Sequence, residues 1–262
     1  MISSLSNSQI KNIIQLQKKP KARAEQKAFV TEGIKMFEEA KAGGNLIKAY
    51  ISETFYEEKS KEDSDYFRGF AYEVVSDKVL KEASETLTPQ GILAIVRKPE
   101  YCLKDILSNP KANLLLLEDI RDPGNLGTIV RTAEGAGITG IILTKTSVDM
   151  YNPKVVRSTM GSIYRMPFVY VEDFKGTLCQ IKKKNIAIYA AHLKGEKAYD
   201  EIDYKDKCGI LIGNEANGLS DEIAALADVY IKIPMSGSVE SLNAAIAAAI
   251  LMYEVYRQRR KK

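Results

Sequence analysis

From Asn113 onward the sequence carries six short, almost wholly apolar runs, NLLLLED, GIILTK, MPFVYV, NIAIYAAH, KCGILIG and VYIKIPM, separated by helical patterns. A strand that is apolar on both faces has to be covered on both, and strands alternating with helices achieve this as a parallel sheet between two helical layers. The first hundred residues read differently. Helical patterns over SQIKNIIQLQ, GIKMFEEAKAG and DKVLKEASE alternate with strand patterns at AFVTE, LIKAYIS, FAYEVVS and GILAIVR, a mixed α/β arrangement. RKPEYCLKDILSNPKA, with two prolines and mixed charge, marks the boundary, so domains are expected over 1–100 and 111–262.

Several chemistries are excluded. No run reaches the ~18 apolar residues of a membrane span, and MISSLSNSQIKN lacks the charged-then-apolar layout of a secretory signal, so a cytoplasmic protein is expected. Cys102, Cys179 and Cys208 lie far apart and outside any CxxC pair, and are read as buried, reduced thiols rather than a disulfide framework or zinc site. The single histidine, His192, cannot build a histidine metal site, and no metal is expected. The nucleophile elbow GxSxG is missing too. GAGITG, residues 135–140, is a literal GxGxxG, but a helix precedes it and a strand follows, the reverse of the dinucleotide fingerprint. Gly135 and Gly137 are therefore read as helix-ending and turn glycines. What remains is chemistry run by Arg, Glu, Asn and Ser on an electrophile that a cofactor brings already activated.

Three segments hold more turn chemistry than a connection needs. EDIRDPGNLGTIVRTAEGAG follows an apolar strand, with Pro123 and Gly124 read as a tight turn, Asn125 as a backbone bridge and Arg131 one turn into the helix. GILIGNEANGLSDEI ends its strand at Gly213; Asn217-Gly218 makes a turn and Ser220 caps the next helix, which leaves Glu215 unexplained. IKIPMSGSVESLNAAIAAAI ends a strand at Pro234 and places Ser241 and Asn243 at the mouth of a final helix, from about Leu242 to Arg260, that is apolar on two sides. Its second apolar side covers either another layer of its own domain or a second subunit. The formal charge of +4 is unevenly spread: Lys11, Lys18, Lys19, Lys21, Arg23 and Lys27 face only Glu25 in the first thirty residues, and the chain ends RQRRKK. These ends either meet a polyanion or are solvated termini.

Taken in order, the three segments resemble the SpoU (TrmH-type) family of RNA ribose 2′-O-methyltransferases, its motifs standing here as EDIRDPGNLGTIVRTAEGAG, ILIGNEANGLS and IPMSGSVESLNAAIAAAI. The first hundred residues resemble the L30e-type RNA-binding domain of many members. The resemblance implies a C-terminal parallel sheet threaded into a trefoil knot, which general topology rules would not suggest. It also implies a homodimer and S-adenosylmethionine held at Gly213, Ile233, Met235 and Leu242. The family's functional residues fall on Asn125, Arg131, Glu215, Ser241 and Asn243. Because guanidinium stays protonated, Arg131 is expected to clamp a phosphate beside the target ribose and stabilise the developing oxyanion. Asn125 and Ser241 are expected to orient Arg131 and the ribose, Glu215 to anchor Arg131, and Asn243 to hold the cofactor loop. Lys154 and Arg157, on one helical face after Pro153, and Lys18, Lys19, Lys21 and Arg23 are expected to bind RNA. Structured ribosomal RNA of the large subunit is the first expectation and transfer RNA the second, with a catalytically silent RNA binder as the remaining alternative.

Overall fold

The computed structural model describes residues 1–260, which form two compact units: 1–100 together with 149–164, and 101–148 together with the chain from 165 onward. In the first unit, α1 (Ser8–Lys18) and α2 (Pro20–Glu25) lead into β1 (Ala28–Glu32), α3 (Ile34–Ala42), β2 (Leu46–Ser52), α4 (Glu53–Glu62), β3 (Tyr72–Val75), α5 (Asp77–Ala83) and β4 (Ile92–Arg97). Asn7 caps α1 through Gln9 N, and Pro20 opens α2, where its missing N–H costs nothing. The sheet order is β1-β4-β2-β3, with β4 antiparallel to both neighbours and β2 parallel to β3. One face packs Ile10, Ile13 and Leu16 of α1 and Val79 and Leu80 of α5 over Val30, Tyr50 and Leu93. The sequence pattern left α4 unassigned. Ser52 caps it through Phe55 N, but Phe55 is its one buried side chain, so no apolar stripe announces it.

The second unit begins with α6 (Leu103–Leu107), β5 (Asn113–Leu117), α7 (Pro123–Gly135) and β6 (Gly140–Thr144). The chain then enters 149–164, where Asn152 caps α8 (Pro153–Ser158) through Lys154 N. Back in the second unit come β7 (Phe168–Val171), α9 (Phe174–Lys183), β8 (Ala187–Ala191), β9 (Lys197–Ala198), β10 (Cys208–Ile212), α10 (Asp221–Ala224), β11 (Val229–Lys232) and α11 (Ala244–Arg259). All seven strands run parallel in the order β7-β6-β5-β10-β8-β11-β9. β5 and β10, at its centre, are buried at every position, as continuous apolar runs require. Gly140 lets β6 begin against Ile106, whose side chain a Cβ there would meet at 2.5 Å.

Three expectations need correction. Pro123 through Gly127 are not a loop: α7 starts at Pro123, because Asp122 caps it by accepting Asn125 N at 2.7 Å. Residues 149–164 pack with the first unit instead of the second, since the Tyr151 ring lies tilted against Phe29 at 4.7 Å and Tyr164 donates to the carbonyl of Met36. Only Cys208 is buried, whereas Cys102 and Cys179 are exposed. Burial pushes the Cys208 thiol up to about 11, with Arg259 partly opposing the shift. No helix among the described residues is long and apolar enough to cross a membrane.

Arg23 is 2 % exposed. Its guanidinium meets Asp149 Oδ2 at 2.6 and 2.9 Å and donates to the carbonyls of Leu16 and Gln17 at 2.7 and 2.9 Å. It cannot also meet RNA phosphate, and so leaves the set of RNA-binding candidates. Removing one partner of such a pair strands the other, so Arg23→Ala should destabilise the first unit by about 3 kcal/mol. Urea unfolding should show this, while the salt dependence of RNA binding stays at the wild-type slope.

Candidate active site

β5 and β10 pair in register from Cys208 opposite Asn113 to Ile212 opposite Leu117, so the chain leaves both strands at one level of the carboxyl edge, where open α/β sheets hold ligands. Just beyond β5, the Glu118 carboxylate accepts Ser220 N at 2.9 Å and Ser220 Oγ at 2.6 Å. Asp119 turns the chain at a φ of 55°, a left-handed conformation that residues with a Cβ adopt seldom. Its carbonyl accepts Asn214 Nδ2 at 2.8 Å, and Asn214 Oδ1 in turn accepts the amides of Ala216 and Asn217. This folds residues 214–218 back so tightly that a Cβ on Gly213 would lie 2.2 Å from the carbonyl carbon of Gly218.

Glu215 joins the loops. Its Oε1 accepts Asp122 N and Asn125 Nδ2, each at 3.1 Å, and its Oε2 accepts Arg121 N at 3.3 Å. Asn125 Oδ1 accepts Asn243 Nδ2 at 2.9 Å, and Asn243 Oδ1 caps α11 by accepting Ala245 N and Ile246 N. Segments 90 and 118 residues apart in sequence are thereby held by one relay of side chains.

The structure thus brings together Asn125, Glu215 and Asn243, and places Arg131 and Ser241 otherwise. Glu215 anchors the loop of Arg121 and Asp122, not Arg131, because its oxygens face backbone amides leaving β5. Arg131 is exposed, with no side-chain partner among the described residues. Its neighbours four residues away on α7 are Gly127 and Gly135, so no side chain there leans on the guanidinium. Ser241 is exposed, Gly213 is buried, and Ile233, Met235 and Leu242 are half-buried. Sequence reading missed Glu118, Asp119 and Asn214, which build the turns beneath the site. The only signal was a pair of carboxylates ending a wholly apolar strand.

Among the remaining basic candidates, Lys18, Lys19, Lys21 and Lys154 are exposed, with Lys21 3.9 Å from Glu25. Arg157 is half-buried and lines a small cavity with Glu32 and Glu85. At the C-terminal end, Arg257 pairs with Glu254 at 2.7 Å, and Arg259 donates to the carbonyls of Tyr204 and Asp206. Arg259 thereby fastens α11, whereas the Arg257 pair lies within the helix; Lys261 and Lys262 lie outside the described residues.

The model of the SpoU rRNA Methylase family matches residues 112–253, which carry all three segments, and that of the MRM3-like substrate binding domain matches residues 7–94. The chain belongs to the SpoU rRNA methylase family. It is 31 % identical to the 23S rRNA (guanosine(2553)-2′-O)-methyltransferase RlmP of Bacillus subtilis, over 97 % of this chain and 98 % of the relative. The crystal structure of the AdoMet-bound rRNA methyltransferase from Sinorhizobium meliloti superposes with a TM-score of 0.84 at 34 % identity, covering 98 % and 97 % of the two chains. The TrmH/SpoU tRNA modifying enzyme of A. aeolicus, at 28 % identity and a TM-score of 0.51, covers 60 % of this chain and 80 % of its own.

If Glu215 positions loops, Glu215→Ala should speed hydrogen exchange at the Arg121 and Asp122 amides and lower turnover about ten- to a hundredfold, the usual effect of a misplaced reacting group. Glu215→Gln, which keeps one acceptor oxygen, should recover part of that rate without moving the pH profile. A shifted profile would instead make Glu215 a proton-transfer group.

Proposed function

We infer that the protein methylates a ribose 2′-hydroxyl of RNA with S-adenosylmethionine as donor, and that its substrate is 23S ribosomal RNA. The relay through Glu215, Asn125 and Asn243, which joins three segments of a SpoU family member into one site, carries the reading. The end-to-end likeness to a 23S rRNA enzyme, against a partial likeness to a tRNA enzyme, supports the ribosomal choice. Work on ribosomal RNA also fits a cytoplasmic location.

The residues present suit the donor. Among the described residues, 234–242 form no backbone-to-backbone turn or loop hydrogen bond, which suits backbone groups that meet a ligand, while the half-buried Ile233, Met235 and Leu242 offer apolar contact. The bound donor supplies a methyl group on a sulfonium, already electrophilic. The protein's task is then to align the ribose oxygen and stabilise its charge as the proton leaves to water. Arg131, charged and without a side-chain partner among the described residues, takes the phosphate beside that ribose and the developing oxyanion. Asn125, held by Glu215, and Asn243, held by Asn125, form the mouth of the site, and orienting the ribose is assigned to Ser241, exposed on the loop before α11.

The same reading includes a knotted chain and a homodimer. β10 is inserted between β5 and β8, and a Cβ on Gly195 would meet backbone atoms of Ile231 and Lys232 within 2.8 Å, a close passage of one segment over another that supports threading. Ile246, Tyr253 and Tyr256 leave α11 exposed at 51 %, 48 % and 40 %, with half-buried Ala249 and Ile250 between them. An apolar stripe of this kind supports a second copy covering it.

With methyl-labelled donor and RNA from a strain lacking the gene, label should enter 23S RNA as a single 2′-O-methylnucleotide; label confined to transfer RNA would reassign the substrate. Arg131→Lys should lose at least about 100-fold in kcat while donor affinity holds, the scale of a lost oxyanion contact. Near-normal turnover would remove Arg131 from the chemistry. Ile246→Asp with Tyr253→Asp should sediment as a monomer, and a variant that still forms dimers would refute the α11 interface.

A further inference from the structure

At the end of the first unit's sheet where β1 begins and β4 ends, a cavity of about 590 Å³ opens to solvent, within the range of small-ligand sites. We propose that this pocket binds one unpaired nucleotide of the substrate RNA, holding its phosphate and reading its base at a point separate from the reacting ribose. The proposal rests on the reading of the substrate as RNA.

Three kinds of group meet in the cavity, and together they match a nucleotide. Lys27, Arg97 and Lys98 line it against a single carboxylate, Glu100, which Lys27 already neutralises at 2.6 Å. Arg97 is exposed and has no side-chain partner among the described residues, so its planar fork is free for a phosphate. Lys98 is half-buried with its ammonium 4.3 Å from the centroid of the Tyr151 ring. Burial pulls its pKa down against the pull of Asp149, with Arg23 lowering it further. A cation so desolvated attracts an anion more strongly than one in water.

Ile47, 43 % exposed, supplies an apolar wall suited to a base face. Beside it the Asn45 side-chain amide has no hydrogen bond among the described residues and presents both donor and acceptor. The Asn45 backbone donates to the carbonyl of Ala40 and accepts Arg97 N at 2.8 Å, which ties together the backbones of two residues that line the cavity. Apolar wall, free amide and free guanidinium are what single-stranded RNA recognition asks of a protein: a surface for the base, a partner for its edge and a charge for its phosphate.

The test uses the full-length protein, RNA stripped from large subunits of a strain lacking the gene, and 4-thiouridine-substituted copies of that RNA. Arg97→Ala should raise KM about tenfold, leave kcat and donor affinity unchanged, and reduce the salt slope of binding by about one phosphate contact. Asn45→Ala and Ile47→Ala, neither of which removes a fold contact described above, should raise KM without changing the slope, and cross-links should map to the peptides holding Ile47 and Lys98. Wild-type KM in all three variants, or cross-links elsewhere only, overturns the pocket. So does a defect seen on ribosomal particles but not on naked RNA, which would point to a protein partner. Wild-type enzyme that methylates no RNA would sink the broader reading instead, and that result is read independently of the variants.

Discussion

The site depends on one carboxylate doing three things at once. Glu215, just past the end of β10, satisfies two backbone amides where the chain leaves the neighbouring strand and holds the amide of Asn125 on the first turn of α7. Parallel strands bring their carboxyl ends to one edge but leave the loops there with unpaired N–H groups. An ionised acceptor between two such loops solves that problem and fixes their separation. Hydrogen bonds to charged groups are worth about 1.5–3 kcal/mol each when shielded, and exposure at Glu215 lowers that value. The clamp therefore matters for geometry more than for stability.

The rest of the edge is built in the same way, polar groups closing turns that the apolar sheet cannot. Glu118 holds Ser220, and Asp119 accepts the left-handed conformation that directs its carbonyl to Asn214. Nothing in this framework restrains Arg131. A guanidinium that must bind substrate phosphate is better left without an internal partner, since an ion pair within the protein would have to be broken first. The framework is satisfied, and the group proposed to meet substrate has no side-chain partner among the described residues.

The parallel sheet was legible because each strand buried on both faces is written as an unbroken apolar run, and β5 and β10 are the clearest examples. The α4 helix was not, since only Phe55 turns inward, nor was the helical start at Pro123, where proline and glycines read as a turn until Asp122 is seen to cap them. At the site, residue types were legible and partnerships were not. Sequence marks Glu215 as unexplained by local turn chemistry, but which atoms it meets depends on the register of β5 against β10, which no local pattern encodes. Arg23 fails for the opposite reason: its neighbours in sequence are lysines that remain solvated, and only the fold reveals the carboxylate of Asp149.

The connectivity gives this burial a wider consequence. The chain leaves the first unit after Glu100, returns to it at Asp149 and leaves again after Tyr164. The returning segment follows β6, and the ion pair of Arg23 with Asp149 holds its start within the first unit. A domain joined by one flexible linker can be exchanged or lost with little effect on its neighbour. One that captures sixteen residues of the other's sequence cannot, because removing it exposes Val155, Val156 and Ile163, all fully buried. Loss of the first unit would therefore leave an apolar segment of the chain uncovered, and the candidate RNA contacts at Lys154 and Arg157 lie on that segment.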